Sequence, residues 1–262
     1  MPTSCYRPRF FVASALVAVL AYTHSPAAQK GRASSDNLTV VVDAGHGGHD
    51  RGGIPGQSVA EKNMTLDVAQ RLRSVLSASG YRVVMTRDSD VFVPLPTRVA
   101  IANSYGNAIF VCIHFNATKR AGASGIETYF YSRDSLPLAS AVHYYVTGGA
   151  PSANRGVRRR GYYVLRKTGI PAVLVECGFL TNPTEAAYAQ SASYRQKLAE
   201  EIAAGVRGRS SIASARYIDQ TKVAKSERHR SKRSHKKSAR KKKSSSKSSN
   251  SEARASSIHP EG

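Results

Sequence analysis

No apolar run in this sequence is long enough to cross a membrane: the longest, residues 10–22, is about 13 residues, against the ~20 of a spanning helix. Cysteine is scarce, at three residues, which excludes a scaffold built on disulfides. No internal repeat is visible, which excludes a solenoid or propeller. Acidic residues are short too: 17 Asp and Glu face 39 Lys and Arg, leaving a net charge of +22. Such an excess draws a protein toward anionic surfaces and polymers but says nothing of its fold.

The charge is concentrated at one end. From Arg209 onward the sequence is dominated by Ser, Lys and Arg, as in Lys241-Lys242-Lys243-Ser244. With no apolar face to bury, residues 209–262 are expected to be a disordered basic tail. Aromatic residues stop at Tyr217, so the tail lacks the stacking platforms of single-strand nucleic-acid binders. It is read as a tether to an anionic envelope surface, and nucleic acid is set aside as a partner. At the other end, Arg7 and Arg9 precede the apolar run, and Ser25-Pro26-Ala27-Ala28 follows it. Residues 1–28 therefore read as a secretory signal peptide and residues 29–37 as a polar linker, so the chain is expected to be exported, periplasmic or envelope-associated. Cys5 lies before the run and suggests no lipid attachment.

Residues 38–208 are enough for one domain. Strands are expected at 38–42, 81–86, 108–114, 126–131, 162–165 and 172–176, and helices at 62–79, 97–104, 135–147 and 194–207. Strands alternating with helices imply an α/β fold: a single domain with a mostly parallel, roughly six-stranded sheet, flanked by helices on both faces. A monomer is expected. Cys112 and Cys177 sit in apolar strand runs and read best as buried filler; a bridge between them or a thiol ligand are the other readings.

Four residues carry the chemistry. His46 lies in Asp43-Ala44-Gly45-His46-Gly47-Gly48, Glu61 opens a helical pattern, His114 ends an apolar run, and Glu176 sits in Val175-Glu176-Cys177-Gly178-Phe179. Strand ends of this kind are where α/β sheets collect ligands. Two imidazoles and one carboxylate suit a single zinc ion and leave its fourth position open, the mark of a catalytic site. A further carboxylate, Glu176, can then accept and return a proton. Spacing alone leaves His49, three residues after His46, as a rival ligand.

In order and type these motifs, with Thr86-Arg87-Asp88-Ser89-Asp90, Leu95-Pro96-Thr97-Arg98 and Ala102-Asn103, resemble the zinc-dependent N-acetylmuramoyl-L-alanine amidases of the amidase-3 type, across the whole globular part. The resemblance implies zinc on His46, Glu61 and His114, with Glu176 catalytic. It also implies hydrolysis of the amide between N-acetylmuramic acid and the L-alanine of the stem peptide, in peptidoglycan or its lipid-linked precursor. Phe115 stands where the family usually has a small residue, and Pro94 and Pro96 crowd the segment before Arg98. The stretch between His114 and Glu176 leaves little room for the autoinhibitory helix some relatives carry, and no wall-targeting domain is read at the start, so an open enzyme is expected. Asn116, Arg155 and Arg166 are candidate substrate contacts; Arg158, Arg159, Arg160 and Lys167 belong to the same basic stretch, which equally reads as a solvated loop.

Two other functions compete. Lys167-Thr168-Gly169, with Ser-x-x-Lys matches in the tail, resembles penicillin-binding serine hydrolases and would imply D,D-carboxypeptidase activity. The tripeptides fall in the wrong order for that family. A non-catalytic wall-binding protein is the third reading, and the intact His-Glu-His-Glu set argues against it.

Overall fold

A computed structural model describes residues 37–120 and 122–210. The regions expected to be signal peptide and basic tail lie outside the described residues, as does nearly all of the linker. Six strands form one sheet: β1 (Thr39–Ala44), β2 (Arg82–Met85), β3 (Ala108–Asn116), β4 (Ile126–Phe130), β5 (Asn154–Arg159) and β6 (Ala172–Phe179). Their order is β2-β1-β3-β6-β4-β5. All neighbours are parallel except β4 and β6.

β1 shows why the sheet is central. Its run of Val40, Val41 and Val42 is fully buried, as expected of a parallel strand covered on both faces. Val40 and Val42 join Val111, Ile113, Val173 and Val175 beneath α1 (Glu61–Ala78), α3 (Leu136–Gly149) and α6 (Ala192–Gly208). Leu72 and Leu76 of α1 and Leu198 and Ile202 of α6 complete that layer. Val41 points the other way, with Phe110, Cys112 and Leu174, beneath α2 (Leu95–Asn103) and the short α4 (Tyr163–Lys167). Period-two alternation thus sends each strand's residues into two separate cores.

Two sequence expectations need correction. Residues 162–165 were expected as a strand from their β-prone Tyr-Tyr-Val-Leu composition, but 163–167 form α4. Val164 and Leu165 are both buried, which a strand covered on one side cannot do with adjacent residues. Conversely, the loop reading of the arginine stretch gives way to strand β5, at the edge of the sheet beside β4. Charged side chains are common on edge strands because they oppose further strand addition. α5 (Pro183–Gln190) was not anticipated; Asn182 caps it by accepting from the Thr184 and Glu185 amides, with proline at its start. No described helix is long and apolar enough to cross a membrane.

Candidate metal centre

β1, β3 and β6 run parallel, so their carboxyl ends open on one crevice, and β1 is where the chain's path across the sheet reverses. That is where open α/β sheets bind ligands. His46 lies two residues beyond β1, His114 near the end of β3, and Glu176 pairs in register with His114 from β6. Glu61 is the first residue of α1 and is almost completely buried.

The carboxylate of Glu61 lies between the two imidazoles, with Oε2 3.1 Å from His46 Nε2 and Oε1 2.9 Å from His114 Nδ1. The Phe115 and Gly53 amides each donate to Glu61, at 2.9 Å. Donor atoms from His46, Glu61 and His114 all lie within 4.8 Å of one another. Ligands of a tetrahedral zinc 2.0–2.1 Å away would stand about 3.3 Å apart, near the 3.1 and 2.9 Å that separate Glu61 from the two imidazoles. The donor set is also chemically right for a borderline-soft divalent ion. Burial would push the Glu61 carboxyl up, but hydrogen bonds from His114 and His46 and their positive charge hold it at about 2. His114 is opposed by burial and carried to about 9 by Glu61. A proton on His114 thus supplies part of the charge that a bound cation would bring.

Glu176 is different in kind. Burial outweighs the pull of His114 and raises its carboxyl to about 7, and Oε2 is buried with no hydrogen-bond partner among the described residues. Buried oxygens are rarely left so without a functional reason.

Glycines let these groups come together. A Cβ on Gly45 would sit 2.4 Å from the His114 ring, and one on Gly52 2.6 Å from both Glu61 Oε2 and His46 Cδ2. His46 itself has φ 60, a left-handed conformation that costs a non-glycine residue about 1–2 kcal/mol. Two buried arginines fasten this loop from behind. Arg98 donates to the Ala44 and His46 carbonyls at 2.6 Å and pairs with Asp43 at 2.6 Å. Arg87 donates to the Ala44, Gly45 and Lys62 carbonyls. These are the arginines of the Thr-Arg-Asp and Leu-Pro-Thr-Arg motifs. Asp50, which sequence reasoning missed, accepts from His46 Nδ1 at 2.8 Å and so leaves Nε2 facing Glu61. Its position four residues after His46 in a glycine-rich loop was the available signal.

The rival ligand His49 is exposed and stacks on Phe92, ring centroids 4.3 Å apart. Cys112 and Cys177 are both free and buried; Cys112 donates to Asp43 Oδ2 at 2.9 Å. A cavity of about 600 Å³ opens over the cluster, lined by His46, Glu61, His114 and Glu176 and walled by Phe92, Leu95, Phe115 and Tyr162. Phe115, the departure from the family pattern, therefore forms part of the wall. Asn116 also lines it, whereas Arg155 and Arg166 do not: Arg155 pairs with Glu127 at 2.8 Å and Arg166 is exposed on α4. Lys167-Thr168-Gly169 is the end of α4 and the two residues after it, pinned by Asn103 and absent from this cavity's lining. No residue of α3, the one long helix between His114 and Glu176, lines it either.

Fold and cluster together define an α/β domain whose two imidazoles and carboxylate could hold a metal ion. The family described as N-acetylmuramoyl-L-alanine amidase (Amidase_3) matches residues 40–208, and the chain belongs to it. It is 37% identical over 191 residues to the uncharacterized protein YqiI of Bacillus subtilis (strain 168), covering 71% of this chain and 91% of that protein. It is 37% identical over 172 residues to the probable cell wall amidase LytH of Staphylococcus epidermidis (RP62A), covering 64% of this chain and 57% of LytH. Among solved structures, the catalytic domain of CwlV, an N-acetylmuramoyl-L-alanine amidase from Bacillus (Paenibacillus) polymyxa var. colistinus, superposes with TM-score 0.62 and 34% identity. The match covers 64% of this chain and 96% of that domain.

Proposed function

We propose that this chain hydrolyses the amide between N-acetylmuramic acid and the L-alanine of the stem peptide in peptidoglycan. The observation that carries the reading is the His46-Glu61-His114 cluster beside the unpartnered oxygen of Glu176. His46, Glu61 and His114 would hold one zinc ion, which when bound supplies Lewis acidity toward a carbonyl oxygen and toward water.

Glu176 takes the proton from the attacking water on its free Oε2 and returns it to the departing amine nitrogen. A carboxyl raised to about 7 can do both near neutral pH. Asp50 orients His46, and Asp43, Arg98 and Arg87 hold the loop that carries it. Phe92, Leu95 and Tyr162 give the cavity apolar walls. Asn116, which lines the cavity two residues beyond His114, is taken as a substrate contact. Residues 1–28 are taken as an export signal and 209–262 as an envelope tether, with the protein acting as a monomer.

Mass analysis of muropeptides after digestion by the purified zinc-loaded protein, with a chelated control, tests the reading. Release of free peptide beginning at L-alanine, lost on chelation, is expected. Chelator-insensitive loss of terminal D-alanine alone would point instead to a serine hydrolase.

A further inference from the structure

A second cavity, of about 480 Å³, adjoins the one over the metal cluster. Asn116 and Ala117 line both. The two spaces differ in chemistry. The first is walled by Phe92, Leu95 and Tyr162, and these three are among the few large apolar side chains left exposed on the described domain. The second is lined by Asn116, Thr118, Ser124, Arg120 and Arg155, with Phe179 at its base.

Arg155 is fixed in place there. Its Nε donates to Glu127 Oε1 at 2.8 Å, its Nη1 to the Ser124 carbonyl at 3.2 Å, and its guanidinium lies over the Phe179 ring, 5.0 Å from the centroid. Nη2 makes no hydrogen bond to any described residue. The pairing does not cancel the local charge, because Glu127 also takes Arg158 at 3.2 Å: two guanidinium groups share one buried carboxylate. Arg120 adds an exposed cation on the cavity's rim, with no carboxylate partner among the described residues. No acidic side chain lines this second cavity.

We infer that the second cavity binds a carboxylate of the peptide side of the substrate, so that the peptide leaves the metal cluster past Asn116 toward Arg155 and the sugar side lies against Phe92 and Tyr162. The inference rests on the proposed function and adds its direction and selectivity. A preordered guanidinium with Nη2 still free to donate suits a carboxylate oxygen, which accepts a charge-assisted hydrogen bond from it. Asn116 is two residues beyond His114 on the same strand, so the passage to the second cavity begins within roughly two residues of an extended peptide from the cluster. Asn116 Oδ1 is already tied to the Ala117 amide at 2.9 Å, which holds the passage between the cavities in one shape. An aromatic and aliphatic wall, by contrast, offers nothing to an ionised peptide and suits the apolar faces of a sugar.

The test uses the full chain, zinc-loaded, on two muropeptides that differ only in whether the stem peptide's carboxylates are free or amidated. The free acid should be favoured about tenfold in kcat/KM, the scale of one charge-assisted hydrogen bond. Arg120→Gln and Arg155→Lys should shrink that ratio, chiefly through KM. Arg155→Lys keeps a cation beside Glu127, so the fold is not put at risk by stranding a buried carboxylate. Phe92→Ala should slow both substrates alike and leave the ratio in place. Equal cleavage of both peptides by the unaltered protein would overturn the inference while sparing the amidase assignment. So would arginine variants that lower both rates together. Cleavage of neither peptide, with zinc bound, would sink the assignment itself.

Discussion

Glu127 and Glu176 stand directly opposite one another across the antiparallel β4–β6 pair, and only one of them is satisfied. Arg155, Arg158 and the Tyr129 hydroxyl all bond Glu127, whereas Glu176 keeps a buried oxygen with no partner. Burial is the main cause of the raised carboxyl of Glu176, and the like charges of Glu61 and then Glu127 add to it.

Replacing Glu176 with Gln removes the proton carrier but keeps the shape. Turnover should fall at least about a hundredfold, the low end for general acid–base catalysis, while zinc stoichiometry measured by elemental analysis stays at one per chain. Persistent activity in this variant would assign the proton transfer elsewhere.

Asp50 fixes which nitrogen of His46 faces the cluster. Asp50→Ala should therefore weaken zinc binding about 10–100-fold, as loss of a histidine's outer partner does, with thermal stability of the chelated protein little changed. Competition against a fluorescent chelator reads the affinity directly. No change in affinity would mean that His46 is oriented by its backbone alone.

Chelated protein should lose stability as pH rises. His114, raised to about 9 from 6.5, contributes stability present in full below about 6.5 and lost as pH climbs through 9. Glu176, raised to about 7 from 4.5, favours the folded state when protonated and opposes it as it ionises. Glu61, held at about 2, contributes stability that is lost only on acidification through that value. Thermal midpoints should thus drop between pH 5 and 9 without zinc and drop less with it, and zinc uptake near pH 7 should release protons. A zinc-induced shift in midpoint that is flat across this range would place the ion elsewhere.

Gly45→Ala should cost metal binding before it costs fold. The added methyl would land within 2.4 Å of the His114 ring and displace it. Circular dichroism near native, with zinc lost, is the expected pair of readings; wild-type zinc affinity would show that the ring can retreat without consequence.

Much of this was legible in the sequence because it was local. The valine run of β1 and the helical stripe of α1 announced themselves through periodicity, and the four acid and imidazole residues through their order along the chain. What was hidden depended on distant partners. Val164 and Leu165 look like strand until α2 is placed against them. The arginines of β5 look like loop until β4 supplies an edge. Arg155 and Arg166 appeared equivalent, yet only Arg155 meets Glu127, a residue no spacing connects to it. Asp43 and Arg98, 2.6 Å apart, are likewise joined only by the fold.

The loop bearing His46 is bolted to the sheet by guanidinium groups that touch only backbone oxygens, Asp43 and Thr65, none of them a ligand. Those anchors lie behind the loop, on the side away from the cavity-facing Nε2 of His46. The receptacle is thus framed in large part by the fold, with its walls set by contacts that an ion would not have to make.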